Sequence, residues 1–455
     1  MRQGLGQGSH WWWVAVPVLL LVGFGVATRI DLASATPHRH GRARFVASLS
    51  PLHGGGSAWP ADLTRDGRHW VSVWAASPAA PTPQTIGAKG FDNQTVRNVV
   101  FTSAGGSMVR VLVTNVFGTR PLLVGQAAVG IWDGGADVAH NHPLTFGGRT
   151  SKVIPAGAAA MSDPVSLQVA PLQRLVISLF LPRYTGPATQ HAVAQQTNYV
   201  ATGDHALDGG GSAYVTHEPS WYFIASVDTL ATRRDRGAIV AIGDSITDGV
   251  ASGMNLNARW PNDLARRFAA QSGPVLSVVD EGIGGNRILH TSPCCGVSAV
   301  ARFGRDVLRR TGVRDVILLE GINDIGFSQS HGVLNAPHTN VSAQQIISGY
   351  RRIIAEAHRA GLRIFGATLT PFLGARYWSE AGEAKRDAIN HWILTSHAFD
   401  GVINFAKAVA DPGDPLMLNP AYDSGDHLHP NRAGYRAMAN AVSLAMLLKA
   451  ATSRT

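Results

Sequence analysis

The sequence predicts two successive folds: an all-β sandwich or jelly-roll-like domain, then a three-layer α/β domain on a parallel sheet. Three observations carry this. Between residues 69 and 228, short runs alternate apolar and polar residues with period two and are separated by Gly, Pro, Asn and Asp, the pattern of half-buried strands. From residue 237 onward, β-branched apolar runs alternate with stretches of helical period, as strand–helix–strand units on a parallel sheet require. A chain of 455 residues that is 45% hydrophobic and 15% charged has material for more than one core and does not resemble a disordered or coiled chain.

The N-terminus reads as an export segment. Arg2 precedes an apolar run over residues 11–27, and Ala33-Ser34-Ala35 follows. A basic start, an apolar stretch and a small-x-small site match a signal peptide over residues 1–35, with cleavage expected after Ala35. Seventeen apolar residues also reach the lower limit for an uncleaved membrane anchor. No Arg-Arg pair precedes the run, which argues against a twin-arginine signal. Either route places the protein outside the cell or on the outer face of the cytoplasmic membrane, with membrane or cell-wall association through the N-terminus. Residues 36–68, rich in Gly, Pro, His and Arg, read as a flexible linker.

The β domain is expected over residues 69–232. Its strand signals include residues 70–74, 96–101, 108–114, 165–169 and 175–181. Trp70 and Trp74 share a period-two face, which favours packing in the core over a carbohydrate platform. Nothing repeats at a fixed interval, so neither a propeller nor a solenoid is indicated.

The stretch 233–237 marks the boundary to an α/β domain over residues 237–450. Strands are expected at 238–242, 275–279, 313–319 and 363–369, and residues 401–405 form a further short apolar segment. Helices are expected to begin near Trp260, over 342–360 (with Gly361 as the stop), over 382–398 and over 431–448. The formal net charge is +9, but its Lys and Arg residues are scattered without interleaved aromatics, so no nucleic-acid partner is indicated. Cys294 and Cys295 are the two cysteines. They are adjacent, able to close a vicinal disulfide or to remain thiols, and lack the ligand spacing of a metal site.

In a parallel sheet the C-terminal ends of all strands lie on one edge, where such folds bind ligands. Gly243-Asp244-Ser245, Gly284-Gly285-Asn286 and Gly321-Ile322-Asn323-Asp324 sit at three strand ends, and Asp426-His427-Leu428-His429-Pro430 precedes the last helix. Acyl transfer needs a nucleophile, a base, an orienter for the base and donors for an oxyanion, and these segments hold a candidate for each role. Taken in order, Gly243-Asp244-Ser245, Gly285, Gly321-x-Asn323-Asp324 and Asp426-x-x-His429 resemble the four blocks of the SGNH (GDSL) hydrolases over residues 237–450. With an upstream β domain, the arrangement is similar to the subgroup containing secreted arylesterases and xylan-associated acylhydrolases.

The resemblance implies a flavodoxin-like three-layer sheet and a serine hydrolase acting on carboxylic esters, of short acyl chains and including carbohydrate acetyl esters. Ser245 would be the nucleophile, His429 the general base and acid, and Asp426 the residue that orients His429. The Ser245 and Gly285 backbone N–H groups and the Asn323 amide would form the oxyanion hole, with no cofactor and no metal needed. The substrate would be a small-molecule or polysaccharide ester, its pocket shaped by loops 288–302 and 327–341.

Each segment also has a purely structural reading. Ser245 could cap a helix, Asn323-Asp324 could be a strand-end turn, Gly284-Gly285 a flexible turn, and Asp426 with His429 the capped start of a helix. Their joint occurrence at successive strand ends favours function. His427 competes with His429 for the base, but the Asp-x-x-His spacing favours His429 and leaves His427 as a neighbour or substrate contact. Thr247 stands where a Gly-x-Ser-x-Gly elbow needs its last glycine, which argues against an ordinary α/β-hydrolase. An O-acyltransferase acting on cell-envelope glycans and a non-catalytic glycan-binding protein are the alternative functions.

Overall fold

A computed structural model describes residues 69–449 apart from residue 84; the expected export segment, linker and residue 450 lie outside the described residues. The first half consists mainly of two antiparallel sheets. One has the order Trp70–Ala75, Ile224–Leu230, Gly106–Thr114, Ala159–Met161, with Val165–Val169 also pairing with Gly106–Thr114. The other has the order Thr216–Glu218, Asn198–Thr202, Gln94–Phe101, Arg174–Leu181, Gln126–Trp132, Val138–Pro143. Period-two alternation explains how they meet: Val109, Val111 and Val113 share one core with Leu175, Ile177, Leu179 and Leu181, every second residue of two strands. This is the sandwich expected from the pattern. Trp74 lies in that core and Trp70 is buried under the Arg110 guanidinium, so neither offers a ring face to a sugar.

The second half is built on five parallel strands: β1 (Asp235–Gly243), β2 (Val275–Gly282), β3 (Val313–Leu319), β4 (Arg363–Ala367) and β5 (Gly401–Ile403). Their order across the sheet is β2-β1-β3-β4-β5, the order of flavodoxin-like folds, whose ligand site lies at the switch point between β1 and β3. Residues 238–242 of β1 are fully buried, as a central strand covered on both faces must be. β1 begins at Asp235, opposite Val275, so the sheet starts within the stretch 233–237.

Helix α1 (Ser245–Asp248) follows β1 directly. The longer helices are α2 (Trp260–Ala270), α3 (Ala343–Arg359), α4 (Glu380–Thr395) and α5 (Arg432–Ala441). α2 packs on α5, and α3 on α4, the pairing that right-handed crossovers leave on opposite faces of the sheet. Ser342 and Gln345 form a reciprocal capping box at the start of α3. The single helix expected over 431–448 is two helices. α5 ends at Ala441, where Arg267 donates to the Ala439 and Val442 carbonyls, and Ser443 caps a separate turn at Leu444–Leu448. Among the described residues no helix is long and apolar enough to cross a membrane.

Candidate active site

Strands β1, β2 and β3 are neighbours, and the segments leaving their C-terminal ends carry Ser245, Gly285 and Asn323. Asp244 and Ser245 divide the labour at the first of these ends. The Asp244 carboxylate accepts the Ile246 N–H at 2.9 Å and is therefore the helix cap. Ser245, the first residue of α1, is freed from that role. Its hydroxyl lies 2.8 Å from His429 Nε2.

His429 arrives from the turn before α5. Its Nδ1 lies 2.5 Å from Asp426 Oδ2, while the other Asp426 oxygen accepts the backbone N–H groups of His429 and Leu428 at 2.8 and 3.0 Å and the Ser424 hydroxyl at 3.1 Å. Burial pushes the Asp426 carboxyl up, but the hydrogen bond and charge of His429 and the two backbone donors outweigh it and hold the carboxyl well below the usual carboxylate range. Asn431 then caps α5 through the Ala433 and Gly434 N–H groups, so Asp426 and His429 stand ahead of the capped start instead of forming it. His427 takes a separate partner: its Nδ1 meets Asp423 Oδ2 at 2.6 Å, and its side chain is half exposed.

Gly285 has φ +74°, and a Cβ there would stand 2.5 Å from Cys295 Sγ. The position is closed to side chains both by backbone conformation and by space. Asn323 is buried. Its Nδ2 donates to the Asn286 carbonyl at 3.0 Å and its Oδ1 accepts the Tyr377 hydroxyl at 3.2 Å, which fixes the amide orientation and leaves a second N–H for another acceptor. Nothing in the sequence pattern pointed to Tyr377.

A buried polar layer supports these groups from below. The Arg302 guanidinium donates to the Gly243 carbonyl, the Asn286 side chain, the Glu281 carbonyl and Ser77 Oγ at 2.7–2.9 Å, binding the ends of β1 and β2 to the β domain. Asp324 accepts the Ile288 and Leu289 N–H groups. Burial raises the Asp324 carboxyl to about 6 and that of Asp244 to about 7, and it raises Glu320 strongly as well. Asn286 donates to the Cys295 and Val297 carbonyls and so shapes the loop that follows it.

Cys294 and Cys295 form a vicinal disulfide. Its loop joins the second expected pocket loop: Cys294 N–H donates to Leu334 O at 3.0 Å, and Arg287 donates to the Ala336 and Pro337 carbonyls. Both segments 288–302 and 327–341 therefore form one wall beside Gly285. Among the described residues no group of three or more His, Cys, Asp or Glu side chains is arranged to hold a metal ion.

Residues 241–437 match the GDSL-like Lipase/Acylhydrolase family. No curated protein matches the chain. Similar solved structures include a mutant of an acetyl-xylooligosaccharide esterase from Geobacillus Stearmophilus (19% identity over 49% of this chain and 99% of that one, TM-score 0.36). A GDSL-like lipase from Bacteroides thetaiotaomicron VPI-5482 is 18% identical over 47% of this chain and 88% of its own (TM-score 0.34). The lipase/acylhydrolase from Enterococcus faecalis is 17% identical over 45% and 92% (TM-score 0.35).

Proposed function

Residues 241–437 carry a GDSL-like lipase/acylhydrolase domain, and from that premise we propose that the protein is an exported serine esterase cleaving short-chain carboxylic esters through an acyl-enzyme. The observation that carries the reading is the continuous chain Ser245 Oγ–His429 Nε2, His429 Nδ1–Asp426 at 2.8 and 2.5 Å. In this reading the Ser245 oxygen attacks the ester carbonyl as its proton passes to His429 Nε2. Asp426 holds the proton on Nδ1 and offsets the imidazolium charge. The carbonyl oxygen becomes an anion facing the Ser245 and Gly285 N–H groups and the free N–H of Asn323. His429 then protonates the departing alcohol, and water repeats the sequence to release the acid.

The preference for short acyl groups, carbohydrate acetyl esters among them, is supported by the resemblance of the motif set and its upstream β domain to that subgroup. Export is supported by the residue pattern of 1–35. The test is turnover of p-nitrophenyl acetate together with labelling by a serine-directed fluorophosphonate. Wild type should do both, and Ser245→Ala should lose labelling and at least about 10⁴-fold in kcat. An unlabelled, inactive wild type overturns the reading. Acetylated xylan assayed beside aryl acetates, with longer acyl chains in parallel, then reads out the alcohol and acyl preferences.

A further inference from the structure

One charged pair close to the site lies outside the mechanism. His191, on the short strand Gln190–His191 of the β domain, is buried to 5% exposure and reaches into the end of α1. Its Nδ1 lies 3.0 Å from the Ser77 carbonyl and its Nε2 lies 3.0 Å from Asp248 Oδ1. Asp248 is the last residue of α1, three positions after Ser245. Its second oxygen accepts the Gly284 N–H at 2.9 Å, and the next N–H along the chain is that of Gly285.

A carbonyl only accepts, so His191 Nδ1 must carry a proton. Asp248 Oδ2 accepts an amide and Arg259 stands 3.8 Å from Oδ1, both of which favour the carboxylate, so Nε2 donates as well and the ring is an imidazolium. Burial lowers the His191 proton affinity and Arg259 lowers it further, but the charge and hydrogen bond of Asp248 and the Ser77 carbonyl raise it past its usual value. The remaining charged group facing the pair is Asp280, whose carboxyl burial raises to about 7 against the pull of Arg259.

We infer that His191 and Asp248 are positioning residues: the β domain, through this pair, holds the Gly284–Gly285 backbone so that the Gly285 N–H points at the oxyanion. The inference rests on the esterase reading of Ser245 and Gly285. Above the raised pKa of His191 the ring is neutral: it keeps the Nε2 proton facing the carboxylate, loses the Nδ1 hydrogen bond to the Ser77 carbonyl and no longer offsets the Asp248 charge, so the Gly284 anchor loosens. Activity therefore falls at alkaline pH.

Three variants of the full chain test this by steady-state kinetics across pH, with fluorophosphonate labelling as a separate readout. Asp248→Ala removes the anchor and should lower kcat by about 10- to 100-fold with KM little moved, the cost of a misplaced donor. Asp248→Asn keeps both contacts without charge, because its amide donates to a neutral His191 Nε2 and its oxygen still accepts Gly284. It should lose less kcat than Asp248→Ala, and its alkaline limb should disappear. His191→Gln should also lose the limb. A wild type that resists labelling overturns the esterase reading. A labelled, active wild type whose alkaline limb persists in Asp248→Asn and His191→Gln overturns the positioning role, and this comparison decides the matter even if Asp248→Ala fails to fold.

Discussion

Asn323 has one amide nitrogen and two N–H bonds. One is committed to the Asn286 carbonyl, which only accepts and so fixes which end of the amide is nitrogen, and the Tyr377 hydroxyl donates to the Oδ1 end. The remaining N–H is held without freedom to turn, which is what makes a donor effective for a charge that exists only transiently. Asn323→Ala should cost about 10²–10³ in kcat, or about 2.7–4 kcal/mol of barrier, with KM largely kept. Tyr377→Phe removes only the bond to Oδ1 and should cost far less. Equal kcat losses in the two variants would place the importance in Tyr377 and not in the amide. Ser245, Gly285, Asn323, Asp426 and His429 were legible in the sequence because each falls at a strand end or ahead of a capped helix in a fixed spacing. Tyr377, His191 and Asp248 were not, because their contacts to Asn323, Asp248 and Gly284 join residues 36 to 57 positions apart, and no local pattern marks a partner at that distance.

At the level of the element, α1 is a single turn whose start is bought by a buried carboxylate. Asp244 accepts the Ile246 N–H with one oxygen and leaves the other without a hydrogen-bond partner. Burial, with Asp324 adding to it against His429 and Arg302, raises its carboxyl to about 7. An unfolded aspartate titrates near about 3.9, so the folded state holds the proton more tightly. The stability this contributes is complete below the unfolded value and is lost as pH rises through about 7. Asp244→Asn keeps the cap acceptor and never ionises. Its melting temperature relative to wild type should therefore rise between pH 4 and pH 8. Thermal melts at the two pH values check this, and a difference that is flat or falls with pH would mean that Arg302 and His429 keep the folded carboxylate charged. In the sequence Ser245 is a candidate cap, since Ser and Asp are both good ones. The pattern does not tell which of two adjacent residues turns inward. The last helix failed for a similar reason: Arg267, far away on α2, takes the carbonyls at the end of α5.

At the scale of the molecule, the two folds share buried polar groups as well as a surface. The edge strand Trp70–Ala75 pairs within the β sandwich, yet Ala75 belongs to the core of the α/β half. The Ser72 carbonyl accepts Ser277 Oγ at 2.7 Å, and its N–H donates to the Thr311 carbonyl at 2.9 Å. Ser77 joins Glu281 and Arg302. Asp228 on the β side accepts Ser72 and Arg110 from its own sheet and Thr311 from across the seam, all within 3.1 Å and fully buried. Parting the halves would exchange these buried hydrogen bonds for bonds to water, at about 0.5–1.5 kcal/mol net for each, and would expose the apolar surface around Ala75 as well. Chains of this length commonly unfold domain by domain, but here the seam ties the two transitions together. Calorimetry of the full chain should show one cooperative transition, with the proposed turnover of p-nitrophenyl acetate lost at the same temperature. Asp228→Ala removes an acceptor shared by Ser72, Arg110 and Thr311, at about 1–3 kcal/mol for a buried donor left unsatisfied, and it should move that single transition down without splitting it. Two resolved transitions in wild type would show that the halves unfold independently and that the polar seam does not couple them.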